Sequence, residues 1–541
     1  MPSLEKILVK SQELHLNPEH LTTYGDYQAK VSLKALVDRP MRGKLILVSA
    51  ITPTPAGEGK TTVSIGLAQG LRLTGRSVAL ALRQPSMGPV FGRKGGATGG
   101  GRSTLHPAQS INLQFTGDFH AITSAHNLLA SVVDNALYHQ TTRLDARKVL
   151  WKRVLDVNDR TLRQITVKRG QPAVESQSGF DITAASEIMA VLSLSESLAD
   201  LRARLERMVV GYTSDDEAVY AREFRVTGAL MAILRDALQP NLVQSIEGVP
   251  AFVHGGPFAN IAHGCNSVLA TRMALAYADY AITEAGFAFD LGGEKFLHLK
   301  CRQAGLAPAA IVIVATIRAL KMHGGAALAE LTHADPAALE RGLVNLAAHL
   351  DSAALFQRPI VVAINRFGTD GAEEISVVEN FCAERGVACA LADVFGQGGA
   401  GTTDLAEAVV AAASQSSPPL PALYAPEDSV EVKLHAIATK IYGADGIQLT
   451  PEAEAKLALL RRNGLAHLPL CMAKTQNSLS DDATKLGRPR GFTITVRDFE
   501  VANGAGFLVA LNGKIMRMPA LPKVPAAERI DVTPEGEIVG L

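Results

Sequence analysis

The amino-acid sequence predicts a multidomain α/β fold, in which a parallel sheet carries helices on both faces and smaller α/β domains are attached. The chain has 541 residues, more than one hydrophobic core usually serves. Short apolar runs alternate with segments of helical periodicity, which is the pattern of βαβ units. The runs 310–316 and 359–365 are apolar almost throughout, as expected of parallel strands that are buried on both faces.

Composition and charge exclude several classes of partner. Lys+Arg and Asp+Glu both number 53, so no overall field recruits nucleic acid or an anionic membrane surface. The N-terminal segment lacks the apolar stretch of a secretory signal, and no apolar run is long enough to cross a membrane. The five cysteines show no C-x-x-C spacing, which argues against disulfides and a zinc site. We therefore expect a cytoplasmic protein with reduced thiols and small-molecule partners.

One glycine turn carries the clearest chemical signal. Residues 52–62, TPTPAGEGKTT, follow an apolar run and precede an amphipathic segment at 63–73. Backbone N–H groups of such a turn, at the start of a helix, bind phosphate oxygens. Lys60 and Thr61 stand where a Walker A loop has its lysine and its Mg²⁺-linked hydroxyl, although Thr54 replaces the first glycine.

This turn predicts a nucleotide phosphate site and a P-loop NTPase-like sheet; a plain glycine turn between strand and helix is the alternative. The residues expected to contact ATP phosphates are Thr54, Pro55, Ala56, Gly57, Glu58, Gly59, Lys60 and Thr61.

The same features divide the chain into three expected domains. Residues 1–112 and 241–360 form the nucleotide-binding P-loop α/β domain. Residues 113–240 form an inserted α/β domain, and residues 361–541 form a C-terminal α/β domain. A chain of this length favours about three domains.

Arg83 and a glycine-rich block follow the second predicted strand, 77–82. Ligands of open α/β sheets bind beyond the carboxyl ends of the strands, so Arg83 is a candidate oxyanion clamp, with a surface arginine as the alternative. The block GRKGGATGGG at 92–101 is costly to order, because glycine loses the most entropy. We expect its backbone, including Gly95 and Gly96, to approach a ligand; a flexible linker is the alternative.

A second unusual block, HGGPFANIAHGCNS at 254–267, has no periodicity. Its histidine spacing is not that of paired metal ligands on a helix. We therefore expect hydrogen-bonding roles for Asn260 and His263.

Two acidic residues follow the predicted strand 280–284. Asp290 and Glu294 could reach a metal–nucleotide, or they could pair with Lys295 or Lys300. A helix is also expected after 178–183, with Asp181 or Thr183 as its cap.

Further candidates lie at the ends of later strands. Arg318 follows the run 310–316, and Phe367 and Phe395 follow the next two strands. Two phenyl rings at neighbouring strand ends can clamp a flat heterocycle, although aromatic core lids are the commoner case. The segment Asn365 to Gly368 partly matches the guanine-reading Asn-Lys-x-Asp box, but Gly368 replaces the carboxylate, so GTP is not inferred.

Seven separate blocks resemble formate–tetrahydrofolate ligase, over nearly the whole chain. They are TPAGEGKTT at 54–62, LRQPSMGPVFGRKGGATGGG at 82–101, SGFDITAASEIMA at 178–190, EGVPAFVHGGPFANIAHGCNS at 247–267, VATIRALKMHGG at 314–325, CMAKTQNSLSDD at 471–482, and GAGFLVALNGKIMRMPALPKVPAA at 504–527.

The resemblance implies ATP-dependent condensation of formate with tetrahydrofolate through formyl phosphate, giving 10-formyltetrahydrofolate, ADP and phosphate. It implies ATP with Mg²⁺, a monovalent cation (K⁺ or NH₄⁺), a homotetramer and the monofunctional form. Lys60 and Arg83 would be catalytic, and Thr61 would touch the Mg²⁺. Phe367 and Phe395 would sandwich the folate, to whose site the C-terminal domain contributes.

The chain departs from the family pattern at four positions. Phe395 stands where relatives carry tryptophan, Gln84 where an acid is usual, and Thr98 and Arg102 fall in a block that usually reads KGGAAGGGY. The departures at Gln84, Thr98 and Arg102 motivate one alternative, a regulatory P-loop ATPase without ligase activity. A Rossmann-type dinucleotide enzyme is disfavoured, because no G-x-G-x-x-G opens the first helix.

Overall fold

The computed structural model describes residues 4–94, 96–513 and 515–541. Its N-terminal part alternates strands and helices as the sequence predicts. The strands are β1 (Leu21–Thr23), β2 (Ala29–Val31), β3 (Lys44–Ala50), β4 (Val78–Leu82), β5 (Gly99–Gly100) and β6 (Ser103–His106). The helices are α1 (Ile7–Glu13), α2 (Lys60–Leu73), α3 (Met87–Pro89) and α4 (Ala108–Asn112).

The next part is mainly helical and carries small strand pairs of its own. Its helices are α5 (Asp118–Tyr138), α6 (Glu187–Leu194), α7 (Leu198–Glu206) and α8 (Thr227–Leu234). Its strands are β7 (Arg153–Leu155), β8 (Ile165–Arg169), β9 (Val174–Ser178), β10 (Phe180–Ile182), β11 (Val209–Tyr212) and β12 (Ala218–Tyr220). They form three separate pairs, β8 with β9, β10 with β7, and β11 with β12.

The predicted cap of the helix after 178–183 is wrong. Ser186 caps α6, since its hydroxyl accepts a 3.1 Å hydrogen bond from the backbone N–H of Met189. Asp181 instead pairs with Arg517 at 2.7 Å, and the hydroxyl of Thr183 lies 2.7 Å from that of Thr123. A short 3₁₀ turn at Thr183–Ala185 precedes the helix, and it moves the cap past both predicted residues.

The central part supplies most of the main sheet. Its strands are β13 (Asn241–Ser245), β14 (Pro250–Val253), β15 (Tyr280–Glu284), β16 (Ala310–Ala315), β17 (Ile360–Asn365) and β18 (Ala388–Ala392). Its helices are α9 (Val268–Tyr277), α10 (Arg302–Ala304), α11 (Ile317–His323), α12 (Pro336–Ala354), α13 (Ala372–Glu384), α14 (Val394–Gln397) and α15 (Thr403–Ala413). The predicted strands agree with these bounds to within a residue or two.

The main sheet is mixed and not wholly parallel. Its order is β1-β2-β13-β14-β4-β15-β3-β16-β17-β18, with β6 beside β13 and β5 beside β6. From β14 to β18 all neighbours are parallel, whereas β1, β2 and β13 pair in antiparallel fashion. The connection between β13 and β14 is too short for a parallel crossover, which explains the antiparallel edge. The likeness to P-loop NTPases stays a prediction.

Helices cover both faces of the sheet. Leu45 and Leu47 of β3 belong to the core that includes α9 and α12, and Ile46 and Val48 belong to the core that includes α2 and α15. This alternation follows from the two-residue period of a strand. The central strands β4, β15, β3 and β16 are therefore buried on both faces, which leaves the strand ends as their accessible part.

The C-terminal part forms a second, four-stranded sheet in the order β19-β21-β22-β20. Its strands are β19 (Gly446–Leu449), β20 (Leu470–Ala473), β21 (Thr493–Ala502) and β22 (Phe507–Asn512), and β23 (Asp531–Val532) and β24 (Ile538–Val539) form a hairpin. Its helices are α16 (Val430–Ile437) and α17 (Pro451–Arg462). Strands β17 and β18, which the predicted division assigns to the C-terminal domain, pair with the main sheet; the division itself stays a prediction.

The five cysteines carry free thiols, and four of them are buried. Across the part of the chain that the structure describes, no helix is both long and apolar enough to cross a membrane.

Candidate functional site

The carboxyl ends of the parallel strands meet at one edge of the main sheet. The loop at 51–59 follows β3, Arg83 follows β4, and Glu284 ends β15. Thr316 follows β16 and Asn365 ends β17. Because parallel strands all point the same way, side chains that are far apart in sequence converge here.

The predicted phosphate loop lies between β3 and α2. Gly57 and Gly59 adopt φ values of +83° and +68°, a region that glycine enters without steric cost. Gly59 is the N-cap of α2, and Lys60 and Thr61 are its first two residues. The loop thus ends at the amino terminus of a 14-residue helix, where unpaired N–H groups and the helix dipole favour anions.

Within this loop, Pro55 and Ala56 are exposed and the last three residues, Gly59 to Thr61, are partly buried. Thr54 and Glu58 face inward, with exposures of 8% and 2%. The side chain of Glu58 is therefore directed at the protein, and only the backbone of this residue is suited to a phosphate contact.

Glu58 lies beneath the loop and ties it to two other segments. Its Oε1 accepts a 2.7 Å hydrogen bond from the backbone N–H of Thr54, and its Oε2 accepts one from the hydroxyl of Thr316. Its backbone carbonyl accepts a 3.0 Å hydrogen bond from Nδ2 of Asn365. Burial raises the pKa of the Glu58 carboxyl, although its hydrogen bonds and the charge of Lys60 act in the opposite direction.

Glu284 links the start of α2 to Arg83. The Thr61 hydroxyl donates a 2.8 Å hydrogen bond to Oε2 of Glu284, and Nη2 of Arg83 lies 3.8 Å from Oε1. Arg83 also donates from Nη1 to the carbonyl of Pro257 at 3.2 Å. Glu284 therefore connects the hydroxyl of Thr61 with the guanidinium of Arg83, and Lys60 is the residue before Thr61 in α2.

The sequence predicts acidic candidates only beyond the end of β15, at Asp290 and Glu294, and not at Glu284 itself. The signal that could have found Glu284 is an acidic residue at the last position of a buried strand. Asp290 and Glu294 serve elsewhere: Asp290 pairs with Lys474 at 2.8 Å, and Oε1 of Glu294 lies 2.6 Å from Nδ1 of His298. Pairing with Lys295 or Lys300 is therefore not found for either acid.

The glycine-rich block is ordered by protein contacts. Gly95 lies outside the described residues. Asn112 accepts a 2.7 Å hydrogen bond from the N–H of Ala97, and a Cβ on Gly96 would lie 2.8 Å from its Nδ2. At the far end of the block, a Cβ on Gly101 would lie 2.3 Å from the carbonyl oxygen of Phe395. The segment 96–101 is therefore packed against other parts of the protein, and its far end contacts Phe395. This packing disfavours the interpretation of the block as a flexible linker.

The block at 254–267 is held by Lys295, whose ammonium group donates to the carbonyls of Ala259 at 2.6 Å and Ala262 at 3.1 Å. His263 is fully buried, and neither ring nitrogen has a hydrogen-bond partner among the residues that the structure describes. Burial and nearby cations, Lys300 first among them, lower its pKa to about 3, so the ring is neutral. Asn260 is half-buried; the hydrogen-bonding roles of both residues stay predictions. Within the described ranges, no group of three or more His, Cys, Asp or Glu side chains could hold a metal ion.

The two phenylalanines predicted to stack on the folate differ in exposure: Phe367 is half-buried and Phe395 is exposed. The guanidinium of Arg318 lies over the Phe367 ring, with Cζ 4.2 Å from the centroid, and donates from Nη2 to the hydroxyl of Thr369 at 3.1 Å. Phe395 sits in the first turn of α14 and is 67% exposed. Phe395 is thus no core lid, and its ring is open to a ligand.

Three of the residues that depart from the family pattern, Gln84, Thr98 and Arg102, make contacts with other parts of the protein. Gln84 is buried, and its N–H donates to the carbonyl of Gly255 at 2.8 Å. Thr98 accepts a 3.3 Å hydrogen bond from Asn112. Nε of Arg102 lies 3.6 Å from Glu247. Each has a protein contact of its own.

A comparison with protein families agrees with the resemblance. The family model described as formate–tetrahydrofolate ligase matches residues 2–541. The match covers nearly the whole chain, and it does not support the regulatory ATPase alternative.

Proposed function

The chain belongs to the formate–tetrahydrofolate ligase family and is a ligase that forms a C–N bond, and from this premise we propose how it works. It joins formate to tetrahydrofolate at the expense of ATP, through a formyl phosphate intermediate. The products are 10-formyltetrahydrofolate, ADP and phosphate. One observation supports the proposal: the buried carboxylate of Glu284 contacts both Arg83 and Thr61, the residue that follows Lys60 at the start of α2.

The first step forms the mixed anhydride. A formate oxygen attacks the γ-phosphorus of ATP, and ADP leaves. Phosphoryl transfer depends on positioning and on neutralising charge. The N-terminal N–H groups of α2 and the ammonium of Lys60 bind the phosphate oxygens. Arg83 binds the formate and the γ-phosphate oxygens nearest to it.

The residues present fit a nucleotide-bound Mg²⁺ at the start of α2. Thr61 offers a hydroxyl and Glu284 a carboxylate, which are the hard oxygen donors that Mg²⁺ prefers. The ion, when bound, would offset the charge of the phosphate chain. Glu284 is 4% exposed, so its charge acts with little screening by solvent.

The second step transfers the formyl group. The amine of tetrahydrofolate attacks the formyl carbon and a tetrahedral oxyanion forms. Phosphate then leaves with the C–O bonding pair and takes up the proton that the amine loses. Arg83 stabilises the oxyanion. Phe367 and Phe395 hold the pteridine, and the glycine walls keep water from the anhydride. Arg318, behind the Phe367 ring, fixes that ring in place.

Three further features belong to the same proposal, the first two implied by the family and the third by the sequence. They are a monovalent cation, K⁺ or NH₄⁺, a homotetrameric assembly and a cytoplasmic location. Of the weaker candidates, Gly96 belongs to the glycine block whose far end contacts Phe395, and Asn260 and His263 belong to the block at 254–267.

The test is formation of 10-formyltetrahydrofolate, measured by chromatography, together with release of ADP. Both should require formate, tetrahydrofolate and ATP at once. ATP hydrolysis that is indifferent to formate, with no formylated folate, would overturn the proposal and favour an ATPase. The Lys60→Ala variant serves as the inactive reference in both assays.

A further inference from the structure

Glu58 is the point where two strand ends meet the phosphate loop. Its backbone carbonyl is held by Asn365 at the end of β17, and its carboxylate is held by Thr316 after β16. All three residues are almost fully buried, at 2%, 5% and 1% exposure. Buried hydrogen bonds of this kind are costly to break, because a lost partner leaves a desolvated polar group.

Both contacts lead to the same aromatic ring. Asn365 is two residues before Phe367, whose N–H donates a 2.8 Å hydrogen bond to Oδ2 of Asp370. Thr316 is the N-cap of α11, and that helix carries Arg318, which lies over the Phe367 ring at 4.2 Å. The contact of Glu58 with Asn365 therefore constrains the backbone just before Phe367. The contact of Glu58 with Thr316 constrains the helix whose Arg318 covers the Phe367 ring.

The loop cannot move independently of Asn365. A Cβ on Gly59 would lie 2.6 Å from Nδ2 of Asn365, so the amide fills the space beside that glycine. A shift of the loop toward a phosphate must move this amide or break its bond to Glu58. The segment Asn365 to Gly368 partly matches a guanine-reading box, but its asparagine contacts the predicted phosphate loop of this same chain.

We propose that Glu58 is a positioning residue that couples the phosphate loop to the Phe367 ring, so that nucleotide bound at one raises affinity for the pteridine at the other. This inference rests on the proposed function, since it takes Phe367 as a folate contact. A ligand that orders one end of a shared network lowers the ordering cost at the other end, and such coupling is reciprocal. The anhydride would then form mainly when the accepting amine is already held, which limits its loss to water.

The experiment measures the dissociation constant of tetrahydrofolate by calorimetry, with and without saturating ADP and Mg²⁺. In the wild-type protein the ratio of the two constants should be about fivefold or more, the lower range of typical coupling. Asn365→Ala removes the hydrogen bond to the Glu58 carbonyl, and we expect the ratio to fall to near one while both ligands still bind.

Asn345→Ala is the matched control. Asn345 accepts a 3.2 Å hydrogen bond from the N–H of Thr52, so it supports the start of the same loop from α12, but it contacts neither Phe367 nor Arg318. This variant should retain the wild-type ratio, even if nucleotide binding weakens. Thr316→Ala removes the hydrogen bond to the Glu58 carboxylate and should lower the ratio toward one. Thr316→Ser keeps the hydroxyl and should retain the wild-type ratio.

A wild-type ratio of one overturns the coupling, as does an unchanged ratio in both Asn365→Ala and Thr316→Ala. If Asn365→Ala does not fold, the pair Thr316→Ala and Thr316→Ser decides alone. Failure of the wild-type protein to bind tetrahydrofolate at all would overturn the proposed function, and the coupling with it, and is distinguishable from a ratio of one.

Discussion

The hydroxyl of Thr61 donates a 2.8 Å hydrogen bond to the buried carboxylate of Glu284. The two residues are more than two hundred positions apart in sequence, and they meet because β15 pairs in parallel with β3. The contact places a fixed negative charge beside the first turn of α2. The same carboxylate lies 3.8 Å from Arg83, so it connects the hydroxyl proposed to hold Mg²⁺ with the guanidinium proposed to hold the formate.

Replacing Glu284 with glutamine should slow turnover by about 100-fold and raise the Mg²⁺ concentration needed for half-maximal rate. Glutamine keeps an acceptor for Thr61 but removes the charge, and a lost electrostatic contact to a reacting group has effects of this size. The check is the rate of formate-dependent ADP release as Mg²⁺ is varied. Glu407→Gln, which changes a surface partner of Arg76, is the control, and an equal response in both variants would contradict the role of Glu284.

Lys60→Ala should lower turnover by orders of magnitude and leave the fold intact. A missing charge contact to a transferring phosphate raises the barrier without removing core packing. Lys44→Ala, at the opposite end of β3, where the ammonium group donates to Ser414, should keep nearly full activity. Circular dichroism and steady-state rates measure the two effects, and near-normal turnover in Lys60→Ala would remove this lysine from its assigned role.

Phe395→Ala should raise the KM for tetrahydrofolate about 3- to 10-fold, because an aromatic pair contributes about 0.5–1.5 kcal/mol beyond its buried area. The ring is 67% exposed, so its loss costs little stability. Phe395→Trp offers more stacking area and should lower this KM. The KM for ATP should stay constant in both variants; a parallel change in the two constants would argue for a general disturbance of the site.

Gly59→Ala should weaken ADP binding more than Gly57→Ala does. Both glycines have positive φ, so alanine costs roughly 1–2 kcal/mol of backbone strain at either position. The added methyl at Gly59 would also meet Asn365 at 2.6 Å. At Gly57, apart from its chain neighbours, no atom of the described residues lies within 4 Å of the added methyl. Calorimetric titration with ADP compares the two variants, and equal losses would show that the Asn365 contact does not constrain the loop.

Asp156→Asn should stabilise the protein at pH 7 and have much less effect at pH 4. Burial raises the pKa of the Asp156 carboxyl to about 6, although Ser86 and Met87 donate hydrogen bonds to it. A folded-state pKa above the unfolded value of 3.8 means that the favourable contribution is complete below about pH 4 and is lost as the pH rises through about 6. The difference amounts to about 3 kcal/mol at most.

Asparagine does not titrate and can keep both contacts, donating to Ser86 and accepting from Met87. Thermal melts of the wild-type protein and the variant from pH 4 to pH 8 measure the difference in stability. A difference that stays constant across this range would show that Asp156 does not titrate as described.

Much of the site could be predicted because its signals are local. The glycines of residues 54–62 are required by positive φ angles, and Lys60 follows them directly in sequence. The strands β3, β16 and β17 are continuous apolar runs, so their existence and their burial on both faces follow from composition. Arg83, Arg318 and the two phenylalanines were found by one rule, that ligands bind beyond the carboxyl ends of parallel strands.

The α/β class, the glycine turn before α2 and the family thus followed from the order of residues, because each depends on short stretches of chain; phosphate binding by the turn stays a prediction. The tertiary structure alone decided which charged groups meet. Asp290 pairs with Lys474 and Thr61 with Glu284, each across a long stretch of chain. A buried charge must find a partner to offset its desolvation, and the packing of strands and helices, not the order of residues, determines which partner is within reach.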